Sequence, residues 1–112
     1  MSKKRKARRK RNQAAARAAK THSVYVIALD PVPKDEGRLA VYVGETSHTP
    51  EKRFANHKSG HKAARVVKKR GVRLRPDLFP PGAPFTREEA KRLEASWADE
   101  LRDRGFVVEG GH

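Results

Sequence analysis

The first twenty residues limit what this chain can fold into. They hold ten lysines and arginines and no acid, and their only apolar residues are Met1 and six alanines. Such a segment cannot bury enough surface to offset the entropy of ordering it. It is expected to be disordered in the free protein. Asn12 to Lys20, rich in alanine, can turn helical once phosphates neutralise its neighbours. The expected division is a basic tail over residues 1–21 and a folded domain over residues 22–112.

The charge points to a class of partner. The chain carries +14, of which the first twenty residues supply +10; the other 92 residues set 17 bases against 13 acids. A polyanion is the natural complement, and nucleic acid, DNA or RNA, is the expected one. Lys3, Lys4, Arg5, Lys6, Arg8, Arg9, Lys10 and Arg11 are its candidate phosphate contacts. Each phosphate neutralised steepens the salt dependence by about 0.9 log units on duplex DNA, with little sequence discrimination. The absence of cysteine excludes a disulfide framework and a thiolate metal site. The apolar runs fall far short of the roughly 20 residues that span a bilayer. The charged N-terminus has no apolar stretch behind it, so it does not read as a secretory signal. A cytoplasmic, nucleic-acid-associated protein without a transmembrane segment is expected.

From Thr21 onward the chain reads as globular. Val24 to Leu29 (VYVIAL) and Leu39 to Val43 (LAVYV) read as strands. One Pro- and Gly-containing loop separates them, which predicts an antiparallel hairpin. Thr49 and Pro50 open a helix that runs to about Lys58. His61 to Arg70 is predicted as a second helix ended by Gly71, with Val72 to Leu74 as a short strand. Thr86 and Glu89 form a capping box before a helix that reaches Arg104 and stops at Gly105. Phe106 to Glu109 is the last predicted strand. The order β-β-α-α-β-α-β predicts an α+β domain, a small central sheet flanked by helices.

Three constellations carry candidate chemistry. Glu94 lies inside the apolar stripe Ala90, Leu93, Trp97, Leu101, where a carboxylate is costly unless paired or bound to a metal. An arginine partner at the stripe's edge is the plain alternative. Arg53 and His57, four apart, share a helix face and could grip a phosphate and move a proton, or be merely solvated. Tyr25 and Tyr42, the only tyrosines, stand one on each strand of the hairpin. Strand parity permits them to share a face and does not force it. Gly44 is either a strand end or a place of tight turning or close approach. His22, His48, His61 and His112 lack ligand-like spacing and receive no role.

Ser23-Val24-Tyr25 followed by Tyr42-Val43-Gly44 resembles the paired motif that names the GIY-YIG nucleases. The Gly44-Glu45-Thr46 step, the helix bearing Arg53 and His57, and Glu94 in a late helix resemble that family's catalytic helix and metal-binding glutamate. The resemblance spans residues 22–109. Ser23 replaces a glycine, valines replace both isoleucines, the inter-strand loop is longer, and Phe106-Val107-Val108 replaces the family's usual ending. The resemblance implies a GIY-YIG-like fold and one-metal hydrolysis of phosphodiesters, with DNA ahead of RNA as substrate. It implies Mg²⁺ or Mn²⁺ held by Glu94, and a phosphate bound by Arg53. Tyr25 or Tyr42 would act on the attacking water, with His57 as proton acceptor or relay. The alternative expectation is a non-catalytic RNA- or ribosome-associated protein of the same fold.

Deleting residues 1–20 is expected to weaken binding to all nucleic-acid sequences alike and to flatten the salt dependence. Anisotropy titrations at low salt check this; a truncated chain with unchanged affinity contradicts it.

Overall fold

The computed structural model describes residues 19–111. The tail contacts Lys3 to Arg11, the expected disorder up to residue 18 and His112 lie outside the described residues. Four strands form one mixed sheet, β1 (Ser23–Leu29), β2 (Ala40–Thr46), β3 (Gly71–Leu74) and β4 (Val107–Gly110), in the order β3-β1-β2-β4. The helices are α1 (Pro50–Ser59), α2 (Arg65–Arg70) and α3 (Arg87–Asp103). The element order is the expected one, and the domain is α+β.

β1 and β2 are the two inner strands, which explains their nearly unbroken apolar text: each is covered on both faces. They pair antiparallel, with Tyr25 opposite Gly44 and Ile27 opposite Tyr42. Alternation then sorts the side chains. Val24, Val26, Val41 and Val43 face a core shared with Ala90, Ala98 and Leu101 of α3. Tyr25, Ile27, Leu29 and Ala40 face a second core with Val67 of α2, against which Phe54 of α1 and Tyr42 pack. The helices therefore lie on both faces.

β4 pairs parallel to β2. β3 and β4 occupy opposite edges of the sheet, and parallel neighbours need a crossover rather than a hairpin. The 17-residue α3 supplies that crossover. Its start is set by the capping box: Glu89 N donates to Thr86 Oγ1 at 3.1 Å and Thr86 N to Glu89 Oε1 at 3.0 Å. The capping bonds hold the Glu89 carboxyl below its ordinary range. Gly105, at φ 98°, turns the chain away at the other end. Trp97 is half-buried, and its indole donates to the Leu78 carbonyl at 2.7 Å.

Two local features differ from the sequence reading. The expected helix over His61 to Arg70 begins only at Arg65, because the backbone groups before it are engaged elsewhere. The His61 and Lys62 carbonyls accept from Arg53, and the Ala64 N–H donates to His57. The long β1–β2 loop is anchored rather than loose. Asp35, 1% exposed, accepts from Val32 N at 2.9 Å and from Arg70 Nη2 at 3.1 Å, tying the loop to α2. Among the described residues no helix is long and apolar enough to cross a membrane.

Candidate active site

The face of the sheet under α1 carries the tyrosines. Because Tyr25 sits opposite Gly44 and Tyr42 opposite Ile27, the two phenols are diagonal neighbours, with ring centroids 6.3 Å apart. Gly44 lies within β2, not at its end, and its neighbour explains it. A Cβ built there would fall 2.6 Å from Tyr25 Cζ and 3.0 Å from Tyr42 Cε1. The bare backbone is the bed on which the Tyr25 phenol lies, so the close approach comes from a side chain of this protein.

His57 closes over the pair from α1. It is fully buried, with its ring centroid 6.0 Å from Tyr25 and 5.6 Å from Tyr42. Its Nε2 lies 2.8 Å from Tyr25 Oη, and Ala64 N–H donates to its Nδ1 at 3.0 Å. A backbone N–H only donates, so Nδ1 is the acceptor and the proton of the neutral ring sits on Nε2. His57 therefore donates to the Tyr25 oxygen. The resemblance implies a proton acceptor or relay here; the backbone bond at Nδ1 gives the ring the opposite role toward this phenol.

Arg53, one turn before His57, is fastened by two carbonyls: Nη2 donates to Lys62 O at 2.9 Å and Nη1 to His61 O at 3.4 Å. Its charge acts on both tyrosines and on His57. Glu94 belongs to α3, which packs on the other face of the sheet, yet its carboxylate also acts on both phenols. The glycines that end β4 make the separation thin. A Cβ on Gly110 would press on the Tyr42 ring, and one on Gly111 on Ala98 of α3. The five predicted side chains Tyr25, Tyr42, Arg53, His57 and Glu94 thus occupy one electrostatic neighbourhood, with Gly44 beneath it. Gly110, Gly111 and Ala64 belong to the same construction and were not legible in the sequence, since glycine near a C-terminal strand and a loop alanine carry no chemical signal.

The electrostatics follow from burial. Burial is the main cause that raises the Tyr25 phenol well above its ordinary 10, with Tyr42 and Glu94 pushing the same way and Arg53 pulling it down. Burial and then Glu94 raise Tyr42, again against Arg53. Burial first, and the Arg53 charge second, push His57 down from 6.5 to about 4. Among the described residues no group of three or more His, Cys, Asp or Glu could hold a metal. Glu94 is a single carboxylate, felt by the two phenols only through its charge, and does not make a protein cage. No family model, curated protein or solved structure matches the chain.

His57 supplies the check on this geometry. Its folded pKa lies below its unfolded one, so the unfolded chain binds a proton that the folded chain refuses. The stability it contributes is full above pH 6.5 and is lost as pH falls toward 4. The folding constant is expected to drop by about tenfold per pH unit at the steepest point of that window. Urea melts across this range should show the loss in the wild type and its absence in His57→Gln. Imidazole ¹⁵N shifts should report the Nε2–H form; an Nδ1–H ring contradicts the assignment.

Proposed function

We propose that this protein is a divalent-metal-dependent phosphodiesterase of GIY-YIG type that cleaves nucleic acid, DNA ahead of RNA. One observation carries the reading: two strand phenols, a guanidinium, a buried imidazole and a distant carboxylate act on one another around one spot. Structural need alone does not ask for such a set. Burial first, and the Glu94 charge with it, keep both phenols protonated, and an added cation would lower them as the Arg53 charge does.

In this reading Arg53 binds the scissile phosphate and offsets the charge that grows on it. Its two bonds to loop carbonyls hold the guanidinium in place before substrate arrives. Glu94 would hold the divalent ion, which would supply charge neutralisation at the phosphate and the departing oxygen. Tyr25 is the phenol set to work on water, because His57 donates to its oxygen and thereby favours the phenolate. As phenolate it takes a proton from the attacking water while the P–O bond to the leaving oxygen breaks. The leaving oxygen takes its proton from solvent. The raised pKa of Tyr25 keeps the phenol protonated in the free protein, and a cation held by Glu94 would lower it as the Arg53 charge does.

Incubation with branched, nicked and single-stranded DNA and Mg²⁺ tests the reading. Tyr25→Phe and Glu94→Ala are each expected to slow cleavage by about 100-fold or more. The wild-type rate should climb with pH on the alkaline side, as expected for a base with a raised pKa. A Glu94→Ala protein indistinguishable from wild type on every substrate removes catalysis and leaves a binding module.

A further inference from the structure

Arg53 also lines a recess of about 470 Å³, within the range of small-ligand sites. Its cations are Arg53, Lys62 and Arg87, and its histidines are His22, His48 and His61. These residues come from three separate parts of the chain, which is why histidine spacing gave no sign of them. Against three fixed positive charges stands one carboxylate, Glu45, 3.9 Å from His22 Nε2. Asn56, Thr46 and Ser47 add neutral hydrogen-bonding groups to the wall. From Lys52 to Arg75 the chain holds ten lysines and arginines and no acid, so the ground around the recess is basic as well.

The occupant that suits this chemistry is anionic, about the size of one nucleotide, and bears a planar polar edge. Phosphate answers Lys62 and Arg87. An amide and a carboxylate can read a base edge, and imidazoles offer faces for stacking. A base inside a duplex is stacked and paired, and cannot enter such a recess without leaving the helix. We propose that the recess takes the unpaired nucleotide next to the phosphate held by Arg53, so that the protein selects single strands or unpaired junctions over continuous duplex. The position relative to the cleaved bond rests on the phosphodiesterase reading; the binding does not.

The experiment therefore reads binding without turnover. The full chain carrying Tyr25→Phe, without added metal, is titrated into a fluorescein-labelled oligothymidine, an oligouridine and the blunt duplex of the first strand, over a series of salt concentrations. Adding Lys62→Ala and Arg87→Ala is expected to flatten the salt slope on single strands by about 1.4 log units, two phosphate contacts at about 0.7 each, and to leave the duplex slope unchanged. Both side chains are exposed, and Lys62→Gln with Arg87→Gln, which keep more of the bulk, should act alike. Loss on only one of the two single strands assigns the recess to that strand's nucleotide, by base or by sugar. Equal loss on duplex and single strand, or no loss on any, overturns the proposal. Whether the wild type cleaves does not enter this result.

Discussion

The hydrogen bond between Tyr25 and His57 fixes the rest of the site. It joins an inner strand of the sheet to the first helix, 2.8 Å long and buried among core side chains. A polar group buried without a partner costs about 1–3 kcal/mol, so each end of this bond demands its own support. At the sheet end the phenol needs a neighbour with no side chain, and Gly44 is that neighbour. At the helix end the imidazole needs a donor for Nδ1, and the Ala64 N–H is spent on it. The His61–Ala64 stretch is thereby held out of helix, and its freed carbonyls receive Arg53. One buried bond thus accounts for a strand glycine, a shortened helix and a preset guanidinium.

Electrostatics sharpen this arrangement. The phenols are pushed up and the imidazole down, so all three are neutral near pH 7. The charges that remain, Arg53 and Glu94, oppose each other in their effect on both tyrosines. Neutral phenols that feel both a cation and an anion would respond to an added cation by giving up a proton more easily. That response is the physical core of the proposed reaction.

Much of this was legible in the sequence, for reasons that differ by element. The inner strands announced themselves because burial on both faces leaves continuous β-branched text, and α3 because its capping box and apolar stripe are local signals. Parity allowed Tyr25 and Tyr42 to meet, but the register that makes them diagonal depends on tertiary pairing. The late start of α2 at Arg65 was hidden, since nothing in HKAA reveals that its backbone groups serve side chains of α1. Asp35 carries no sequence signal of burial, and only the fold shows it buried against Arg70. The three histidines of the recess were passed over because spacing along the chain says nothing of residues gathered from three separate places.

The central claim is that these five groups surround a place for a divalent ion. Titration with Mn²⁺, followed by NMR, tests it without assuming turnover, because a bound paramagnetic ion broadens the resonances nearest to it. The account predicts that the Tyr25, Tyr42 and Glu94 side-chain signals broaden together, with Arg53 and His57 following, and that Glu94→Gln abolishes the effect. Broadening centred on another cluster of carboxylates, with the tyrosine signals left sharp, would contradict it.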